Sequence, residues 1–357
     1  VQEFAKAISL FADTAVLSVI PVAKNNYELL GLHDDIEDGV RVVRLYFRKA
    51  ALFNKAVGFF MFLKGVRYLS RKNYEPDIVN AHVFYSAVPV ILSSHTRDKP
   101  LIVTEHSTDF LRPRGPGILR GKIYAWVAKR AKLVMPVSHH LRKAMQGYSK
   151  AEYSVFPNIY DPKIFYYKKT ESNKKKVKLI YAGGLIQRKG IDILLTAVSG
   201  LKNKNIFLAL VGDGPEQEKY EQLSRDLGVS RNITFYGHKN HREIADLMRK
   251  SDIYVHGSRS ETFGCVLMEA MACGLPVVAA GVGGVPEVVD KESGILVASG
   301  DIEAFKNAIL RILLKPAEYN RKNIAARAFK RFSREKAGKK LINIFTRQIS
   351  AAGREQK

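Results

Sequence analysis

Short apolar runs alternate with amphipathic stretches along almost the whole chain. In the first half the runs cover 14–20, 40–47, 77–82, 100–106, 133–138 and 153–157; in the second half they cover 177–182, 206–212, 233–237, 252–256, 276–280 and 294–298. Runs this short, without strict alternation, read as strands buried on both faces, and most are separated by helical periodicity. Such alternation predicts an α/β protein whose parallel sheets are covered by helices. The rhythm breaks at 166–176, where Tyr-Tyr-Lys-Lys-Thr-Glu-Ser-Asn-Lys-Lys-Lys is polar and without apolar period. We place a linker there. It separates 1–166 from 167–330 as two doubly wound, Rossmann-like domains expected to face a cleft, with 331–357 as a last helical stretch. The chain opens on Val1 in a helical pattern, where a doubly wound domain starts with a strand and a glycine-rich turn. That first strand and turn are therefore expected to be missing from this sequence.

One stretch of the second half carries candidate chemistry: Glu261-Thr262-Phe263-Gly264-Cys265-Val266-Leu267-Met268-Glu269. It follows the run at 252–256 and precedes Ala272-Cys273-Gly274-Leu275-Pro276, where Gly and Pro end a helix. Glu261 is thus predicted on a loop at the carboxyl end of a strand, where open parallel sheets bind their ligands. Glu269 falls inside a helix opening around Phe263, about six residues or roughly 9 Å along its axis. Backbone amides near Phe263 and Gly264, at the positive end of the helix dipole, make an anion site. The layout fits a nucleotide-sugar, with sugar and diphosphate at the helix mouth and a ribose diol farther along. A bare pair of glutamates at this spacing would be no more than acids in the first turns of a helix. The flanking strands and the Phe-Gly step favour the site.

Composition changes this picture mainly through charge. The chain has 357 residues, enough for two cored domains, and 58 Lys and Arg against 34 Asp and Glu give a net charge of +24. That calls for an anionic partner: nucleic acid, a phosphorylated substrate or acidic lipid. Between 41 and 72 stand Arg41, Arg44, Arg48, Lys49, Lys55, Lys64, Arg67, Arg71 and Lys72 with no acid. On a helix Lys64, Arg67 and Arg71 share one face, while Leu52, Phe53, Ala56, Phe60 and Leu63 form an apolar one. This arrangement suits a helix lying on an anionic membrane, although core packing accounts for part of the apolar face. The apolar stretch 56–63 is too short to span a bilayer. Arg112, Arg114, Arg120 and Lys122 form a basic loop beyond His106 suited to an acceptor phosphate, and 325–347 reads as one basic amphipathic helix. Cys265 and Cys273, eight apart on one helix, predict no disulfide and a reducing, cytoplasmic setting. No residue spacing suits a metal, and no cofactor is expected. Asp34-Asp35-Ile36-Glu37-Asp38 reads as a solvated acidic loop, and His139 and His140 as surface residues. Pro286 and Gln217 stand where a dinucleotide fingerprint needs its third Gly, which sets aside a nicotinamide dehydrogenase.

Several motifs follow one another through the second half: Tyr181-Ala182-Gly183-Gly184-Leu185 with Arg188-Lys189-Gly190; Val211-Gly212-Asp213-Gly214-Pro215; Phe235-Tyr236-Gly237; Glu261 to Glu269; and Gly281-Val282-Gly283-Gly284-Val285-Pro286-Glu287. In this order they resemble the retaining family-4 (group 1) glycosyltransferases of GT-B fold. The first half is thinner, with Thr104-Glu105-His106-Ser107, Pro136-Val137-Ser138 and Phe156-Pro157-Asn158. The resemblance implies a metal-independent, hexosyltransferase-like enzyme moving a sugar from a nucleotide donor to a lipid-linked or polysaccharide acceptor in cell-envelope glycan synthesis. It implies front-face attack, the departing phosphate receiving the acceptor's proton.

Residue roles follow from the same resemblance. Lys189 would neutralise the diphosphate beside Gly183, Gly184 and Arg188. Gly237 and His238 would lie near the base. Glu261 would hold the transferred sugar, the amides of Phe263 and Gly264 sugar and phosphate, and Glu269 the ribose. His106 would approach the reacting centre, completing a catalytic set with Glu261 and Lys189, and the last helix would cross back to the first domain. Two departures stand out: Gly184 replaces an Arg common in relatives, and Pro157-Asn158-Ile159-Tyr160-Asp161 lacks the family's Gly. A sugar-nucleotide epimerase of the same fold is the alternative reading. The charge alone would fit a nucleic-acid binder, but no nucleic-acid motif is present and none is expected as partner.

Overall fold

The computed structural model describes residues 2–22, 27–49, 54–169, 176–201 and 205–355. By its packing the chain divides into two units. The first holds the residues before Ser138, Arg142–Phe156 and the chain from Arg334 on; the second holds Ser138–Leu141 and Pro157–Ser333. The chain thus passes from first to second unit after Phe156, ahead of the stretch read as linker, of which 170–175 lies outside the described residues.

The first unit runs α1 (Gln2–Ile8), β1 (Ala15–Val22), β2 (Gly31–Glu37), β3 (Val40–Arg48), α2 (Asn54–Arg71), β4 (Val79–His82), α3 (Phe84–Leu92), β5 (Leu101–Glu105), α4 (Ile118–Arg130), β6 (Leu133–Pro136) and α5 (His139–Gln146). It builds two three-stranded sheets, ordered β1-β3-β2 and β4-β5-β6, in place of one parallel sheet. The difference begins at β2, which runs antiparallel to β3 from Gly31 opposite Tyr46 to Glu37 opposite Val40. Its acids, expected as a solvated loop, are cross-strand partners of β3. Arg41 reaches Asp34 at 3.1 Å, the Tyr68 hydroxyl donates to the same carboxylate at 2.8 Å, and Arg44 reaches Glu37 at 2.7 Å. Each such pair contributes roughly 0.2–1 kcal/mol, enough to hold an edge strand of poor intrinsic propensity. Asp38 and Gly39, at φ 49° and 80°, close the hairpin.

The run at 153–157 forms no strand. It follows the edge of β6 through Ser154 N–H to the Val134 carbonyl (3.0 Å) and Phe156 N–H to the Pro136 carbonyl (3.0 Å). Pro136 has no N–H to return, so the ladder stops at a single bridge between Val134 and Tyr153. On α2, which packs over β1 and β3, the exposed residues from Ala56 on are Ala56, Phe60, Lys64, Arg67 and Arg71. The basic and apolar residues expected on separate faces therefore share one stripe, with Phe60 66% exposed and Leu63 turned partly inward. Leu52 and Phe53 lie outside the described residues.

The second unit alternates β7 (Val177–Ala182), α6 (Ile191–Ser199), β8 (Ile206–Val211), α7 (Gln217–Asp226), β9 (Ile233–Phe235), α8 (His241–Arg249), β10 (Ile253–His256), α9 (Cys265–Ala272), β11 (Val277–Ala280), α10 (Val285–Val288) and β12 (Gly294–Val297), followed by α11 (Ile302–Leu314) and α12 (Arg321–Phe332). All six strands are parallel, in the order β12-β11-β10-β7-β8-β9. The interior strands β10 and β11 are buried throughout, which fits their apolar sequence up to His256 at the end of β10. The order reverses between β7 and β10, and such a switch point opens a crevice at the carboxyl ends of the strands. The single helix expected at 325–347 is two: Ser333 is extended at ψ 151°, and the Phe332 carbonyl accepts from Tyr160 N–H at 3.2 Å. Beyond it α13 (Arg334–Glu355) packs on α1 in the first unit, where Arg334 pairs with Glu3 at 2.7 Å.

Candidate active site

The two loops that leave the switch point, after β7 and β10, carry Gly183, Gly184, Arg188, Lys189, Glu261, Phe263 and Gly264 of the residues singled out in the sequence. After β7 come Gly183 and Gly184, then a tight turn, Gln187–Lys189, and Gly190 at φ 64°. A Cβ at Gly190 would be driven into the Gly257 carbonyl, so glycine alone allows this turn to close against the loop after β10. Arg188 ties the same two loops together. Its guanidinium donates to the Ser260 carbonyl at 2.8 Å, and its own carbonyl accepts from Arg259 N–H at 2.8 Å.

That clamp sets Lys189 against Glu261, 72 positions away: the ammonium donates to Oε1. Their side chains are 19% and 8% exposed, so the pair sits largely out of water. His256 Nε2 stands 3.3 Å from the same oxygen. It is poorly aligned for a hydrogen bond, and the buried ring lies nearly parallel to Tyr181 and Tyr254 at centroid distances of 6.3 and 6.2 Å. Burial would raise the pKa of Glu261, but His256 and the Lys189 ammonium outweigh it and hold the carboxyl down at about 2. Burial lowers the pKa of His256. At neutral pH the cluster is therefore a carboxylate facing one ammonium beside a neutral imidazole.

Helix α9 starts at Cys265, two residues later than expected, with Gly264 capping it at φ 89°. A left-handed residue there turns the chain sharply into the helix, and Glu269 becomes its fifth residue, about 6 Å along the axis. Phe263 is buried edge-on to Phe332, centroids 5.8 Å apart, which leaves its backbone as the part able to face a ligand. A cavity of about 680 Å3 lies beyond the carboxyl ends of β7, β8 and β9, lined by Gly183, Gly184, Asp213, His238, Lys239 and Arg242 among others. Its size is that of a small-molecule site. Gly237 shapes the approach at φ 62°, its carbonyl accepting from Gly212 N–H at 2.9 Å.

His106 belongs to the first unit, directly after β5. The buried Glu105 carboxylate anchors that turn by accepting N–H bonds from Phe84 (3.0 Å), His106 (3.0 Å) and Ser107 (2.8 Å). The His106 ring meets His82, Nε2 to Nδ1 at 2.9 Å.

Comparison with known proteins matches residues 163–331 to the family described as Glycosyl transferases group 1 and residues 23–164 to Glycosyltransferase Family 4. The chain belongs to the group 1, family-4 glycosyltransferases. Glycogen synthase of Mycobacterium tuberculosis is 27% identical over 316 residues, covering 82% of this chain and 76% of that protein. A D-inositol 3-phosphate glycosyltransferase of Saccharomonospora viridis is 34% identical over 188 residues, 49% of this chain and 44% of its own. Among solved structures, sucrose-phosphate synthase of Thermosynechococcus elongatus superposes with a TM-score of 0.81 at 22% identity, covering 98% and 92% of the two chains. HepE of Anabaena, solved with UDP and glucose, gives 0.74 at 23% identity over 96% and 94%. The fold is GT-B.

In this glycosyltransferase two histidines were not singled out from sequence: His256, beside Glu261 in the second unit, and His82, beside His106 in the first. Each ends an apolar run at the carboxyl end of a strand, the same signal that drew attention to His106. Gly184 has space for a side chain: a Cβ there would lie 3.8 Å from its nearest neighbour, the Asp213 carbonyl oxygen. Of the residues expected in one basic loop, Arg112 and Arg114 lie on a loop, whereas Arg120 and Lys122 lie in the first turns of α4; Arg112 and Arg120 both pair with Asp109, at 2.8 and 3.2 Å, and Arg114 and Lys122 are exposed. His139 and His140 are exposed as expected, and their backbone N–H groups donate to the Glu287 carboxylate at 2.8 and 3.0 Å.

Proposed function

We propose that this glycosyltransferase moves a sugar, with retention and without a metal, from a nucleoside-diphosphate donor to a lipid-linked or polysaccharide acceptor of cell-envelope glycan synthesis. The observation that carries the reading is the Lys189–Glu261 pair at the switch point, with Lys189 in the loop that begins with Gly183 and Gly184, two glycines that line the basic cavity. A donor diphosphate entering there draws the Lys189 ammonium toward the charge that grows on the leaving group. Preorganised charge of this kind is the main electrostatic contribution to such reactions. Glu261, released from Lys189, accepts hydroxyls of the transferred sugar, Glu269 accepts the ribose diol, and His238 lies at the base. His106 is assigned to the sugar. The acceptor's proton passes to the departing phosphate oxygen as the new glycosidic bond forms. HepE, solved with UDP-glucose at TM-score 0.73, supports the donor class. Titrating UDP, GDP and ADP should raise the melting temperature with one base only, by an amount corresponding to about 2.7 kcal/mol at a hundredfold excess over Kd. Indifference to all three would overturn the donor assignment.

The α2 stripe supports a place for the enzyme in the cytoplasm, on the inner face of the membrane. Lys64, Arg67 and Arg71 each contribute about 1 kcal/mol near an anionic surface, with Phe60 beside them to enter the interface. Phosphatidylserine vesicles should bind the protein, and the Lys64→Ala/Arg67→Ala/Arg71→Ala variant about a hundredfold more weakly. Equal binding by the variant would remove α2 as the docking face.

A further inference from the structure

The first unit holds a polar chain behind His106 whose other members have no part in the proposed reaction. Thr104 Oγ1 donates to Asn80 Oδ1 at 2.9 Å, Asn80 Nδ2 lies 3.4 Å from His82 Nε2, and His82 Nδ1 lies 2.9 Å from His106 Nε2. All four residues come from the carboxyl ends of the neighbouring strands β4 and β5, where His82 is in register with Thr104. The two imidazole planes are 14° apart, so the bond between them runs edge to edge, near the plane of both rings. Phe4 stands edge-on to both rings, at 5.2 and 5.6 Å, and walls the pair on one side. The backbone adds a separate observation. Val83, next to His82, has φ 68°, a left-handed conformation that a β-branched residue adopts only when its surroundings force it. Its N–H donates to the Thr104 carbonyl at 2.7 Å, which fixes the end of β4 against β5. Strain of this kind gathers at functional sites.

We propose that His82 is a positioning residue, which fixes the tautomer and ring orientation of His106 for sugar transfer. This rests on the reading of His106 as the group at the sugar. A neutral imidazole has one donor and one acceptor nitrogen. With the Asn80 oxygen taken by Thr104, the Asn80 amide donates to His82 Nε2, which leaves the His82 proton on Nδ1. That proton is given to His106 Nε2, so the one N–H His106 can donate is at Nδ1. The tautomer is thus assigned by the network. Burial holds the His82 pKa well below its usual value, which keeps the ring neutral and Nε2 an acceptor.

The test compares His82→Phe, which keeps an aromatic ring beside Phe4, with His82→Gln, whose amide can still donate to His106 Nε2. Long-range proton–nitrogen spectra of histidine-labelled enzyme, assigned by the signal lost in His106→Gln, should show the His106 proton on Nδ1 in the wild type and in His82→Gln. In His82→Phe a mixture of tautomers is expected. In parallel kcat should fall on the order of ten- to a hundredfold in His82→Phe, with the donor KM unchanged, and His82→Gln should recover most of it. A wild-type proton on Nε2, or an unchanged spectrum and kcat in His82→Phe, overturns the proposal. Should His82→Phe not fold, Asn80→Ala removes the amide donor and must give the same mixture. If the tautomers behave as stated but the wild type transfers no sugar to any acceptor, it is the reading of the reaction that fails.

Discussion

Replacing Lys189 by alanine is expected to lower the turnover of sugar transfer by about 10²–10³ while the fold survives. The leaving diphosphate gathers negative charge as the glycosidic bond breaks, and in the proposed reaction no metal ion shares it. Lys189 is placed to meet that charge because it sits in a turn held by Arg188 and Gly190, with its ammonium already directed into the crevice by Glu261. A point charge on a flexible stem suits the task, since it must leave the carboxylate and follow the phosphate. The competing account is that the pair only closes the two loops. The acid limb of stability distinguishes the two. The folded pKa of Glu261 is depressed, so its contribution to stability is complete above the unfolded value of about 4.3 and is lost as pH falls toward 2. Without Lys189 the depression shrinks, and the variant should melt lower at pH 7 with a shallower further loss on acidification. A variant that shows this stability change yet keeps turnover within threefold of wild type would leave Lys189 a structural residue.

How much of this was legible in the sequence differs between the halves. In the second half the sheet is fully parallel and buried on both faces, so each strand announces itself as a short apolar run bounded by Gly or Pro. Pattern and structure agree there to within a residue or two, from Val177–Ala182 to Gly294–Val297. In the first half β2 escaped because a strand made of Gly-Leu-His-Asp-Asp-Ile-Glu has no apolar face to read. What holds it is Arg41, Arg44 and Tyr68, contributed by β3 and α2, and such pairings cannot be seen along a single segment. The Asp38-Gly39 step, the strongest short hairpin signal there is, was the clue available. Lys189 and Glu261, which the fold sets in contact, could be singled out because they belong to an ordered set of motifs. His256 could not, because its place at the end of an apolar strand does not tell which partner it meets, and only the fold sets it 3.3 Å from Glu261.

Glu269→Ala should weaken nucleotide binding by about tenfold or more. A carboxylate that accepts both hydroxyls of a ribose makes two charge-assisted hydrogen bonds, each contributing roughly 1.5–3 kcal/mol, part of which is recovered by water in the variant. The geometry favours this role. The carboxylate sits one turn into α9, past the left-handed cap at Gly264, so it is set back from the helix mouth where a diphosphate would bind. Alanine suits a helix interior at least as well as glutamate, so no backbone penalty confuses the measurement. A binding cycle isolates the contact. The 2′-deoxy form of whichever nucleotide stabilises the wild type should bind it more weakly, and Glu269→Ala should be indifferent to the missing hydroxyl. If the deoxy penalty persists undiminished in the variant, Glu269 does not hold the ribose, and the hydroxyls must be read by another group of the second unit.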